Sequence, residues 1–214
     1  NDKEVLNEIP FADHKALLDP PTVDVTSRIL WMLSQWGFNK QHPQVQRAIQ
    51  FVKERQEVDG CWFGRWGVNY IYGSFLALNG LNAIGEDMKA PFSRKAVVWL
   101  EAHQNEDGGW GETCQSYAEP SLRGRGKSTA SQTAWALLGL IAADEAESSA
   151  VKRGVRYLIE TQNDSGEFSG SWWEDEFTGT GFPVHFFIKY HMYQHFFPLM
   201  ALSRYRQAAG GKGH

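Results

Sequence analysis

The sequence predicts an all-α protein, an incomplete α/α toroid in which inner and outer helices alternate. Three observations predict it. A unit centred on a glutamine recurs three times in the 214 residues. The helices between those units are apolar on most faces, as buried helices are. No segment alternates convincingly with the two-residue period of a strand.

The repeat is found by aligning Gln56, Gln104 and Gln162. Nine residues upstream stand Arg47, Lys95 and Arg153, followed by the small residues Ala48, Ala96 and Gly154. Five upstream stand the aromatics Phe51, Trp99 and Tyr157, then Val52, Leu100 and Leu158. Four downstream are Gly60, Gly108 and Gly166, and two further on Trp62, Trp110 and Phe168. Such periodicity marks stacked helical units.

The elements follow in order. Residues 1–23 read as an extended segment. The first buried helix is expected at 24–36, and an outer helix at 43–56 running up to Gln56. The next pairs are 68–84 with 91–104 and 129–143 with 147–162. The outer members carry apolar residues at three- and four-residue steps, as in Ala96, Trp99 and Leu100. Glycine and Asn or Asp at their ends stop them. The stretch 107–128, rich in Gly, Ser and Glu, reads as a long functional or covering loop. A last helix is expected at 184–207, and 208–214 as a disordered tail. Seven helices are an odd set for a closed double ring. With no Met at Asn1, we expect a piece of something longer.

Composition narrows the function. Charged residues are 21% and the net charge is −4 with no basic tail, which gives a nucleic-acid partner no electrostatic support. Two cysteines, Cys61 and Cys114, are too few for a disulfide framework and are not spaced for zinc. No apolar run approaches the ~20 residues of a spanning helix, and no signal peptide is visible. The anomaly is 9 Trp, 7 Tyr and 13 Phe.

The unit Q-x-x-x-G-x-W, preceded by basic, small and aromatic residues, resembles the QW repeat of triterpene cyclases. Gln56 to Trp62 and Gln104 to Trp110 match in full, and the third copy has Phe168, with Trp172 and Trp173 following. Longer segments point to bacterial squalene–hopene cyclases: IPFADHKALLDPPTVDVTSR at 9–28, WFGRWGVNYIYG at 62–73, QNEDGGWGE at 104–112, STASQTAWAL at 128–137 and GTGFP at 179–183. In that family the QW glutamine caps a helix and the tryptophan stacks against it. Gln56, Trp62, Gln104, Trp110 and Gln162 would then be struts.

The resemblance implies a cationic cyclisation. An aspartic acid protonates a terminal alkene of squalene, or of a similar linear polyprene, and the cation closes rings along the folded chain. A hydrocarbon offers no polar handle, so shape must dictate its fold. Aromatic faces stabilise a passing cation without trapping it. The acid sits in a D-x-D-D motif in the family, upstream of the segment matching 9–28. This sequence contains no such motif, so the chain alone is expected to be inactive.

By resemblance, Asp24 takes the place of a carboxylate near the acid, and Arg28 that of a basic residue paired to it. From spacing alone the two could be a surface (i, i+4) pair. Tyr72 matches a polar position near the acid end, Trp66 a cavity tryptophan and Phe11 a channel constriction. Phe182, Phe186, Ile188, Tyr190 and Tyr193 match cavity-lining positions. From Phe186 on, the spacing places Phe186, Tyr190 and Tyr193 on one helical face, with Phe182 extended before Pro183. Without the motif, such a stripe could equally be core. The family is monotopic, implying a peripheral place on the cytoplasmic side of the cell membrane.

No cofactor or metal is implied. GRGKS at 124–128 lacks the first glycine of a phosphate loop, where Ser121 stands. His191 and His195 lack the glutamate of a zinc helix. Two other readings compete. One is a glycoside-acting toroid with Glu112 and Glu176 as acid and base. The other is a helical-repeat binding module using its aromatic concave face. An open inner ring should leave an apolar patch, so self-association as a homodimer is expected.

Overall fold

The computed structural model describes residues 3–10 and 18–210, with only the backbone for Lys3 and Glu4. Phe11 lies outside them. A short helix, α1 (Lys3–Asn7), lies inside the stretch expected to be extended. Seven further helices follow in the described residues: α2 (Val23–Gln35), α3 (Pro43–Glu54), α4 (Tyr70–Ala83), α5 (Pro91–Ala102), α6 (Ala130–Ala142), α7 (Ser149–Glu160) and α8 (Tyr193–Gly210).

They form two rows. Helices α2, α4, α6 and α8 pack side by side in that order, and α3, α5 and α7 lie against them in a second row. This is an arc of an α/α toroid. Burial separates the rows as the sequence predicts only in the middle of the arc; α2 and α8, at its ends, bury one side alone, through Val23, Ser27 and Leu30 and through Phe197 and Ala201. In α4 every residue from Tyr70 to Leu81 is buried, and α6 is buried from Ala130 to Leu140. The second row buries only one face, through Val45, Ile49 and Val52 in α3 and Ala150, Val151, Gly154, Val155 and Leu158 in α7. Pro43 and Pro91 open α3 and α5 at the one place where a missing N–H costs nothing.

The repeat columns are joints between units. Gln56 Nε2 donates to Gly60 O at 2.7 Å and to Phe92 O of the next outer helix at 2.8 Å. Gln104 Nε2 does the same to Gly108 O at 2.7 Å and Ala150 O at 2.9 Å. The indoles of Trp62 and Trp110 donate to Val52 O and Leu100 O, both at 2.7 Å, satisfying carbonyls in the last turns of α3 and α5. The small column has its reason at Gly154, where an added Cβ would lie 2.6 Å from the Trp110 ring.

The third copy is built differently. Gln162 Nε2 donates to Gly170 O, not to Gly166. Trp172 Nε1, rather than Phe168, reaches back to Leu158 O at 2.7 Å. Phe168 is exposed and packs edge-on against Trp173. The loop carries four extra residues and then resumes the pattern.

The expected helix 184–207 is the main correction. Residues 179–188 form an antiparallel hairpin, β1 (Gly179–Phe182) with β2 (Phe186–Ile188), and α8 starts only at Tyr193. Pro183 and Val184 turn the chain, with His185 N donating to Phe182 O at 3.0 Å. Proline suits the second position of such a turn, and the third needs positive φ. Val184 supplies it with φ 73°. Phe186, Tyr190 and Tyr193 therefore do not share a helical face, while Phe182 is extended as expected. Helix α8 also runs to Gly210, into the expected tail. The 107–128 loop is ordered by two short 3-10 turns, Cys114–Tyr117 and Pro120–Leu122.

Candidate active site

The first two turns of α2 place Asp24 and Arg28 one turn apart, but they do not face the same group. Asp24 is buried. Its Oδ1 accepts from Val25 N at 2.9 Å and its Oδ2 from Trp66 N at 2.8 Å. Arg28 is exposed, and its Nη2 donates to Tyr72 Oη at 2.9 Å.

Tyr72 sits in the first turn of α4 with its ring against two glycines. A Cβ on Gly64 would lie 2.9 Å from Tyr72 Cδ1, and one on Gly67 2.6 Å from Cγ. Burial pushes its phenol well above the ordinary tyrosine range. The group stays protonated, so with Arg28 donating to the oxygen, the phenol hydrogen is available to a second acceptor.

From Tyr72 an aromatic wall runs across three helices. Its ring meets Trp135 of α6 edge-on with centroids 4.8 Å apart. Trp135 meets Tyr193 at 5.8 Å and Phe197 at 5.4 Å, both edge-on. Tyr193 stacks on Tyr190 at 4.7 Å. Tyr72 and Trp135 are buried within this wall, whereas Tyr190 and Tyr193 at its far end are partly exposed; aromatic faces carry the negative potential that attracts cations. A small cleft of about 150 Å³ opens here, lined by Arg28, Trp31, Phe75, Tyr193, Phe197 and Met200 among others.

The hairpin carries the rest. Phe182 and Phe186 meet edge-on at 5.5 Å. Gly181 and Gly179 leave room for rings, since Cβ atoms there would overlap Phe186 and Tyr190 respectively. Ile188 pairs with Gly179 across the hairpin and is half-buried. The hairpin is tied to the Trp66 loop, with Val68 N donating to Thr178 O at 2.9 Å and Gly67 bridged to Gly179. Trp66 lies beneath the Arg65 guanidinium, 4.9 Å from its ring, and lines a second cleft of about 430 Å³ with Val25, Ile29 and Ala48.

Several residues of this region were not singled out from the sequence. Trp135 and Phe197 join the wall, but each reads as core when taken alone. Tyr117 Oη lies within 2.7 Å of Gly67 O and 2.8 Å of Gly64 O, holding the Trp66 loop from the 107–128 segment. Its signal is non-local and has no spacing to reveal it.

The glycosidase pair is corrected. Glu112 and Glu176 do line one cleft of about 320 Å³. But Glu112 Oε2 is taken by Asn69 N at 3.2 Å and Ile71 N at 3.0 Å, at the start of α4. Glu176 pairs with Lys127 at 3.1 Å. Neither is presented as an acid and a base flanking a shared bond.

The profile of the squalene-hopene cyclase C-terminal domain matches residues 1–207. The chain belongs to the squalene–hopene cyclase family. The squalene–hopene cyclase of Zymomonas mobilis subsp. mobilis is 50% identical over 212 residues, covering 96% of this chain and 31% of the relative. That of Alicyclobacillus acidocaldarius is 49% identical, covering 97% and 32%. A dammaradiene synthase of Dryopteris crassirhizoma is 42% identical, covering 96% and 33%. The chain thus spans about a third of the length of the family members it matches. Among solved structures, ent-copalyl diphosphate synthase from Streptomyces platensis superposes with a TM-score of 0.58 at 17% identity, covering 91% of this chain and 34% of that one. At that identity it supports the toroid fold alone.

Proposed function

We propose that this chain forms the C-terminal part of the cavity in a protonation-initiated cyclase that folds squalene, or a similar linear polyprene, into a pentacyclic hopene or hopanol. The observation that carries the reading is the Arg28–Tyr72 bond at the head of the Tyr72–Trp135–Tyr193–Tyr190 wall. A protonated phenol held by a fixed cation suits the end where a proton is delivered. The ring faces suit the passage of positive charge along the chain.

In this reading Asp24 supports the acid end through the Trp66 amide, and Arg28 and Tyr72 support the missing acid. Trp66, Phe182, Phe186, Ile188, Tyr190 and Tyr193 shape the cavity, and Phe11 is proposed for its entrance. The QW residues Gln56, Trp62, Gln104, Trp110 and Gln162 act as struts. The D-x-D-D acid is absent from this sequence, so the chain alone should not cyclise squalene.

The proposed place is peripheral, on the cytoplasmic face of the cell membrane. Among the described residues no helix is long and apolar enough to cross a membrane. Val25, Ile29 and Met32 form an exposed apolar stripe along α2, continued by the exposed Trp36 at its C-terminal cap. Such a stripe supports homodimerisation of the isolated chain, and a monodisperse monomer in ultracentrifugation would count against it.

The test is squalene turnover by the full-length protein, followed by gas chromatography of the products. Tyr72→Phe should slow formation of all cyclic products together. Phe186→Ala should instead release products with fewer rings. A full-length protein that leaves squalene unchanged would overturn the reading.

A further inference from the structure

The second-row loops hold something beyond the QW struts. Two residues after its buried tryptophan, each of the last two repeats carries a buried glutamate: Trp110 with Glu112, Trp172 with Glu174. Each glutamate turns to the start of an inner helix. Glu112 Oε2 accepts from Asn69 N and Ile71 N, the capping residue and second residue of α4. Glu174 Oε2 accepts from Ser131 N at 2.8 Å, the second residue of α6. The first amides of a helix lack intrahelical partners, and a carboxyl there meets both the free N–H groups and the positive end of the dipole. In the first repeat the position is Gly64, where an added Cβ would lie 2.5 Å from Asn69 O and 2.9 Å from the Tyr72 ring. There α2 supplies its own carboxyl, Asp24.

The helix that Glu112 holds is the one that carries Tyr72, one residue beyond Ile71. Glu112 is itself fixed. Gln132 in the first turn of α6 receives Glu112 N at 3.0 Å, donates to Glu112 O at 3.0 Å, and reaches Val68 O at 2.9 Å. Glu112 and Gln132 together thus set where the Trp66 loop ends and where α4 begins. We propose that Glu112 is a positioning residue of the cyclase site, placing Tyr72 against Arg28 by fixing the first turn of α4. The assignment deepens the proposed function and rests on it for its catalytic consequence.

Misplacement of a catalytic group by a fraction of an ångström already slows chemistry, while substrate affinity spread over an apolar cavity is little changed. The experiment uses the full-length protein with 3-fluorotyrosine at position 72, as wild type, Glu112→Gln and Gln104→Ala. Gln104 ties the outer row and serves as a control for destabilisation. We expect Glu112→Gln to shift and broaden the fluorine resonance of residue 72 and to lower kcat about tenfold with KM unchanged. Gln104→Ala should leave the resonance in place at a comparable loss of thermal stability. If Glu112→Gln does not fold, Glu112→Asp, which keeps the acid but shortens its reach, should move the resonance in the same way. The assignment is overturned if the resonance stays fixed in the glutamate variants, or moves as far in Gln104→Ala. If the wild type does not turn over squalene, the proposed function fails, and the fluorine resonance still decides the role of Glu112.

Discussion

Trp172 Nε1 donates to the Leu158 carbonyl at 2.7 Å, the bond that Trp62 makes to Val52 and Trp110 to Leu100. In sequence Trp172 lies four positions beyond the place the repeat assigns, which Phe168 occupies. The joint is conserved within the chain by geometry, not by spacing. Removing such a buried bond leaves a helix-end carbonyl unpaired, at about 1–3 kcal/mol. Trp172→Phe should therefore cost about as much as Trp62→Phe in urea denaturation. Phe168→Ala should change stability by less than about 0.5 kcal/mol, as exposed positions do. Equal losses at Phe168 and Trp172 would contradict the assignment.

The struts should differ in strength. Gln104 bonds two carbonyls, one of them in the neighbouring outer helix. Gln162 is exposed, and its bond is to Gly170 in its own loop. With a net hydrogen bond worth about 1 kcal/mol, Gln104→Ala should destabilise by about 1–2 kcal/mol more than Gln162→Ala. Paired denaturant titrations give the comparison directly.

Gly67 and Tyr72 should couple. A methyl at Gly67 would sit 2.6 Å from the phenol ring, inside contact distance. Gly67→Ala must displace the ring or the loop, as overpacking does, at roughly 1–3 kcal/mol. Removing the ring first, as Tyr72→Ala, should make the added methyl cheaper by at least about 0.5 kcal/mol. A strictly additive double mutant would show that the ring is not what the methyl meets.

Val184 is strained. A β-branched residue at φ 73° is a true outlier, at about 1–3 kcal/mol. Its side chain is largely exposed, so little burial would be lost with it. Glycine at this turn position costs about 0.5–1 kcal/mol in unfolded-state entropy and removes the strain. Val184→Gly should raise stability by about 1 kcal/mol, read as a higher urea midpoint with unchanged slope. A fall in midpoint would mean that the turn is held in another form.

How much of this was legible depends on whether the signal was local. The two-row arc was, because each second-row helix shows its single apolar face within a dozen residues, as in Val45, Ile49 and Val52. The hairpin was not. Phe186, Tyr190 and Tyr193 fall at helical spacing, yet a turn at Pro183–Val184 and room over Gly179 and Gly181 decide otherwise. The Arg28–Tyr72 pair spans 44 residues and the Tyr117 contact to Gly67 spans 50. Neither partner has a periodic relation to the other, so the family motifs pointed to Arg28 and Tyr72, and nothing pointed to Tyr117. Glu112 was noticed as a carboxylate, but its task depended on which helix start lay beside it.

The buried glutamates give the chain a pH dependence with a definite sign. Burial raises the Glu174 carboxyl above the ordinary glutamate range, outweighing the bonds from Ser131 and Thr178 that favour its charged form. A group whose pKa is higher folded than unfolded adds stability that is full below the unfolded value. That contribution is lost as pH rises through the folded one. The window therefore opens at the ordinary glutamate range and extends upward from it. Glu174→Gln lacks the titration but keeps an acceptor for Ser131 N. Its cost relative to wild type should be greatest near about pH 4 and shrink toward about pH 7, by about 1.4 kcal/mol for each unit by which the pKa is raised. Denaturation of both proteins across that range tests the sign. A cost that grows with pH would mean that the α6 amides, not burial, dominate this carboxyl, placing its folded pKa below the ordinary range.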